Sequence, residues 1–150
     1  MRDNVSLMKR ILLTLAALLT LGGIGSAQWL TDSTAALAQA REKNRPVLIE
    51  FTGSDWCPGC IQLDRAVFQT EAFQKYAAEN LVLLKVDFPR KPLSAAQRAH
   101  NEKLRLQYKV QGFPTIVVLK SDGTLAGTFF PQVANTQAFI RQVEKTAGKR

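Results

Sequence analysis

Cys57-Pro58-Gly59-Cys60 places both cysteines of the chain two residues apart. An apolar, β-prone run, Val47-Leu48-Ile49-Glu50-Phe51, stands just before it, and an apolar pattern at helical spacing, Ile61 to Phe68, follows. A helix starting at Pro58 makes Cys57 its N-cap and puts proline at the first helical position, where a missing N–H costs nothing. Cys60 then falls one turn on. Side chains three apart on a helix have Cβ atoms roughly 5–6 Å apart, so a small adjustment closes a disulfide. Free N–H groups and the helix dipole favour a thiolate at Cys57, and a thiolate is the nucleophile of disulfide exchange. Cys57 is therefore expected to be exposed and attacking. Cys60 shares a face with Leu63 and Val67 and is expected to be buried and resolving.

Two other chemistries compete. An inert structural disulfide is disfavoured because so short a loop adds little chain-entropy stabilisation. A metal site is disfavoured because tetrahedral zinc takes about four ligands, and the chain offers two Cys and one His. That His100 sits in a helical stretch with no ligand pattern around it and reads as a solvated residue.

At 150 residues the chain suffices for one domain with a sizeable core. Residues 1–27 have the form of a secretory signal peptide: basic Arg2, Lys9 and Arg10, an apolar run from Ile11 to Leu21, then small residues up to Ala27. A retained anchor is the alternative, but the run is short of the ~20 residues a spanning helix needs. The expectation is an exported protein, periplasmic or otherwise extracytoplasmic, with no membrane span after processing and its domain over 28–150. Export implies an oxidising compartment. The formal charge of +8 favours acidic partners or anionic surfaces weakly. The scattered lysines and arginines do not make a nucleic-acid site.

In order, Thr31-Asp32-Ser33 offers caps for a helix that ends before Pro46. Val47 to Thr52 reads as a strand buried on both faces, with Glu50 anomalous because a buried carboxylate is costly unless paired or protonated. Gly53-Ser54-Asp55 turns the chain into the motif. Thr70 caps a second helix, Glu71 to Glu79, and Leu81 to Asp87 is the next strand. Pro89 and Pro92 bound a basic loop, Arg90-Lys91. Ser94-Ala95-Ala96-Gln97 has the form of a capping box and opens a helix to about Tyr108. Ile116 to Lys120 is a third strand. Ser121-Asp122-Gly123 turns it into a hairpin partner, Thr124 to Phe130. Asn135 or Thr136 caps a last helix with Phe139, Ile140 and Val143 inward. The first two strand–strand links are helical crossovers, which predicts parallel strands there, and an antiparallel pair at the end.

This order, with Trp56-Cys57-Pro58-Gly59-Cys60 and Gly112-Phe113-Pro114-Thr115, resembles the thioredoxin superfamily from about Leu30 to the end. Phe51-Thr52-Gly53-Ser54-Asp55-Trp56-Cys57 and Val86-Asp87-Phe88-Pro89 are similar to exported bacterial thioredoxin-like proteins. The resemblance implies an α/β fold with a central mixed sheet flanked by helices. It implies a cis Pro114 facing the cysteines, an apolar substrate groove shaped by Trp56, Phe113 and Pro114, and a buried acid in the preceding strand that moves a proton for the resolving cysteine. Glu50 is the matching acid, one residue further from Cys57 than usual. The motif interior is Pro-Gly where thioredoxin has Gly-Pro, and about Pro89 to Asn101 is additional.

The expected activity is thiol–disulfide exchange on protein or peptide disulfides, reductase-like, by a monomer without cofactor or metal. A dithiol protein supplies the electrons. An oxidase or isomerase is the alternative within that chemistry. A non-catalytic protein that uses the groove or thiols to hold a partner or Cu(I) is the alternative outside it.

Overall fold

Short-range capping chemistry starts the helices. Asp32 accepts from Thr34 N–H at 2.7 Å, and Thr70 accepts from Phe73 N–H at 3.3 Å. Ser94 accepts from Gln97 N–H at 3.1 Å, and Asn135 from Ala138 N–H at 2.9 Å. Each satisfies a donor that the first helical turn leaves orphaned. The Gln97 amide does not complete a capping box; it donates to Asn101 Oδ1 at 2.8 Å.

The computed structural model describes residues 26–132 and 135–148. The chain runs through strand β1 (Trp29–Leu30), helix α1 (Ser33–Lys43), β2 (Val47–Thr52) and α2 (Pro58–Leu63), which continues as a π-helical turn (Asp64–Phe68). It goes on through α3 (Glu71–Asn80), β3 (Val82–Asp87), α4 (Ala95–Gln107), β4 (Thr115–Leu119), β5 (Leu125–Phe129) and α5 (Thr136–Thr146). The leader expected over 1–27 falls almost entirely outside the described residues. No helix among the described residues is long and apolar enough to cross a membrane.

The strands form one mixed sheet in the order β1-β3-β2-β4-β5, flanked by helices as the sequence predicts. β1 and β2 run parallel to β3, β4 runs antiparallel to β2, and β5 antiparallel to β4. β2, at the centre, is buried at every position. Its alternation divides the core. Leu48 packs with Leu63, Val67, Phe68, Phe73 and Phe139 on one face. Val47, Ile49 and Phe51 pack with Ala36, Ala40 and Leu104 on the other. Phe68, Phe73 and Phe139 meet pairwise at 5.0–5.9 Å between ring centroids, an arrangement that adds about 0.5–1.5 kcal/mol per pair beyond burial.

The structure corrects one expectation of direction. The link from β3 to β4 contains a helix, but β4 is not parallel. Gln97 Nε2 lies 3.5 Å from Thr31 O, Asn101 Nδ2 donates to Asp87 O at 2.7 Å, and Arg105 Nη1 donates to Val110 O at 3.1 Å. All of α4 therefore stays near the end of the sheet where β1 and β3 finish. The chain is still at that end when β4 begins, so β4 runs back beside β2, with Thr115 opposite Phe51.

Candidate functional site

The C-terminal end of β2 delivers the motif. Gly53 O accepts from Cys57 N–H at 2.9 Å and closes the turn. Cys57 is the N-cap of α2 and Pro58 occupies its first turn. Cys57 and Cys60 form a disulfide with Cα atoms 5.2 Å apart, within the usual range for such bonds. Cys60 N–H also points at Cys57 Sγ, 3.3 Å away. In this disulfide form Cys57 is 6% exposed and Cys60 1%. Cys57 is therefore buried, not exposed as expected, because its sulfur is bonded to the buried Cys60; it remains the more accessible of the two.

Ser54, Asp55 and Trp56 hold the motif in place through partners after β3 that sequence reasoning did not assign to them. Ser54 donates through its N–H and hydroxyl to the two carboxylate oxygens of Asp87, at 3.0 and 2.5 Å. Asp55 accepts from Arg90 N–H at 2.9 Å and Lys91 N–H at 3.4 Å. Those two N–H groups, with the Arg90 charge, keep its carboxyl below the usual value. Trp56 Nε1 donates to Phe88 O at 2.7 Å. The sequence signalled the two segments separately, through the turn composition before the motif and the resemblance carried by Val86-Asp87-Phe88-Pro89, but not their pairing, because the partners lie more than thirty residues apart.

Trp56, Phe113 and Phe88 make an aromatic wall beside Cys57. Phe88 and Phe113 stack at 5.1 Å, and Trp56 meets Phe113 edge-on at 6.2 Å. With Val110 and Gly112 they line a groove of about 500 Å³. Pro114 follows a cis peptide bond. A Cβ built on Gly59 would stand 3.4 Å from Pro114 Cδ, so the proline ring faces the interior of the motif. Trp56 lies so close over Gly53 that a Cβ there would come within 2.5–2.8 Å of the indole.

Glu50 is 1% exposed and shares the β2 face of Leu48, under α2. Lys85, its register partner on β3, places Nζ 3.6 Å from Glu50 Oε2 and 5.0 Å from the centre of the Trp29 ring. Glu50 Oε2 is buried without a hydrogen bond. Burial is the main cause that raises the Glu50 pKa to about 7; Lys85 and Thr52 pull it down and Asp64 adds a smaller push up. Lys85 is partly exposed and too distant to offset the loss of water around the carboxylate.

His100 differs from expectation: its Nε2 is buried without a partner. Among the described residues no group of His, Cys, Asp and Glu side chains is arranged to hold a metal ion.

A family model described as thioredoxin-like matches residues 28–121. The chain is 38% identical over 118 residues to the disulfide bond reductase DsbH of Chlamydia pneumoniae, covering 78% of this chain and 70% of that protein. It is 34% identical over 89 residues to the thiol:disulfide interchange protein DsbD of Yersinia enterocolitica, covering 59% of this chain and only 14% of that larger protein. A solved DsbH oxidoreductase superposes with a TM-score of 0.77 at 31% identity, over 84% of this chain and 88% of that one. The family match, together with a cysteine pair that closes at a helix N-terminus, places this chain in the thioredoxin-like family as a thiol–disulfide oxidoreductase.

Proposed function

We propose that the protein is a reductase of protein disulfides outside the cytoplasm. The supporting observation is positional: of two sulfurs in one short loop, Cys57 at the helix N-cap is the more accessible. The reductase name of the DsbH relative supports the direction. The charged start and apolar run of residues 1–27 support the location.

In the reduced protein the Cys57 thiolate attacks a substrate disulfide. A Cys57–substrate disulfide forms and the substrate's other sulfur leaves as a thiolate. Cys60 then loses its proton and attacks Cys57 Sγ. The Cys57–Cys60 disulfide forms and the second substrate sulfur leaves. The substrate gains two electrons and the protein loses two, which a dithiol protein of the same compartment restores. Glu50, with its pKa near the working pH, accepts the Cys60 proton. Trp56, Phe113 and Pro114 hold the substrate chain against Cys57, and the protein works as a monomer.

Insulin reduction in dithiothreitol tests the activity, and equilibrium with glutathione tests the direction. A protein that does not accelerate insulin precipitation is a binding module. One that equilibrates as strongly oxidising is an oxidase. Mass spectrometry of the protein from its host tests export: the mature chain begins near Gln28, and a full-length chain recovered from the cytoplasm refutes it.

A further inference from the structure

The loop after β3 is an addition to the motif's surroundings, and the structure shows what it is tied to. Asp55 holds the backbone of Arg90 and Lys91, and Trp56 holds Phe88 O. The loop is thereby fixed beside Cys57, with Phe88 in the groove wall and both cationic side chains exposed. Pro58, which directly follows Cys57, lines with Ile61, Arg65 and Ala66 a second groove of about 510 Å³ along α2 and its π-helical turn, one that shares no residue with the first.

The charges around these grooves are asymmetric in what they leave available. The acids spend acceptors on internal donors: Asp55 on two backbone N–H groups, Asp87 on Ser54, and Asp64 on the Gln69 amide. Arg105 is closed onto Glu102. Arg65, Arg90 and Lys91 are in no ion pair among the described residues, where the salt bridges are Lys85–Glu50 and Arg105–Glu102. An incoming carboxylate meets cations held in no ion pair among the described residues, whereas an incoming ammonium meets carboxylates whose acceptor oxygens are already engaged.

We propose that the two grooves and the Phe88–Lys91 loop form one docking surface for a polypeptide segment whose disulfide is flanked by apolar residues and carboxylate side chains. The apolar residues fill the two grooves while the carboxylates meet Arg90 and Lys91 beside one and Arg65 in the other. The loop is thus a specificity-determining element for the exchange reaction. This rests on the oxidoreductase reading above and names its substrate class.

The test uses two synthetic disulfide peptides, identical except that glutamates flank the cysteines in one and lysines in the other. Neutral hydroxyethyl disulfide is the third substrate. Second-order rate constants are measured with the reduced protein, and the glutamate-to-lysine ratio is the readout, because a change in thiol reactivity cancels from it. Two or three exposed charge contacts predict a ratio of about three- to tenfold at low salt. It falls toward one at about 1 M salt, where the screening length is about 3 Å. In the Arg90→Glu/Lys91→Glu variant the ratio drops below one. A wild-type ratio near one at low salt, or the same ratio in the variant, overturns the docking surface. Failure to reduce any of the three disulfides overturns the oxidoreductase reading instead.

Discussion

Glu50→Gln separates the cost of burying a carboxylate from everything else in the fold. Glu50 ionises at about 7 in the folded chain, against an ordinary value of 4.5. The folded state therefore binds a proton more readily than the unfolded chain does. Stability is fully present below about pH 4.5 and declines as pH rises toward 7, the opposite of a salt-bridged carboxylate. At about 1.4 kcal/mol per pH unit, the full decline is about 3 kcal/mol. Gln cannot ionise, so the variant loses this slope. Its amide imposes an offset of its own, but that offset is the same at every pH and cancels between two measurements. Lys85 is partly exposed and retains the Trp29 ring, so it adds little.

The assay is urea unfolding of the oxidised protein, wild type and Glu50→Gln, at about pH 4 and pH 8. With Cys57 and Cys60 in a disulfide, no thiol titrates across that range, and the other carboxylates are common to both proteins. The variant's stability relative to wild type is expected to rise by about 3 kcal/mol between the two pH values. A relative stability that stays constant within about 0.5 kcal/mol would show that Lys85 compensates the buried charge. The argument from desolvation would then be wrong.

The division of labour between the cysteines predicts that Cys60→Ser accumulates mixed disulfides on a non-reducing gel while Cys57→Ser forms none; the reverse pattern reverses the assignment. Gly53→Ala forces the Trp56 indole away from a Cβ within 2.5–2.8 Å. It should cost about 1–3 kcal/mol by overpacking and shift the tryptophan fluorescence; an unchanged spectrum refutes the placement. Asn101→Ala removes a buried amide that donates to Asp87 O at 2.7 Å and should cost about 1–3 kcal/mol in urea unfolding, because that carbonyl is left unpaired. For the proton-transfer role, Glu50→Gln should also remove an inflection near pH 7 from the turnover rate, and overlaid pH profiles would leave Glu50 without that role.

What the sequence displayed well is what short-range chemistry decides. The caps at Asp32, Thr70, Ser94 and Asn135 act over two or three residues, so a reader of composition finds them. The same holds for Pro58 in the first turn of α2 and for the apolar runs that become β2, β3 and β4. The direction of β4 is different in kind. It follows from α4 staying at one end of the sheet, and that depends on bonds from Asn101 to Asp87 O and from Arg105 to Val110 O. Neither leaves a periodicity. β1, two residues long, is too short to show alternation and exists through its pairing with β3.

Glu50 lies between these two kinds of legibility. Its oddity is visible as one acid in an apolar strand. Its chemistry is not, because that is set first by burial in the assembled sheet and then moderated by Lys85, thirty-five positions on, reached through the parallel register of β2 with β3. The register brings a cation to 3.6 Å, near enough to hold the ionised form within reach. The absence of a hydrogen bond at Oε2 keeps that form costly. A tighter pair would favour the ionised form and lower the pKa. Without that cation, burial alone would push its pKa further up. The proton-transfer role proposed for Glu50 needs a balance between burial and that cation, and the balance is a property of the assembled sheet rather than of any stretch of the chain.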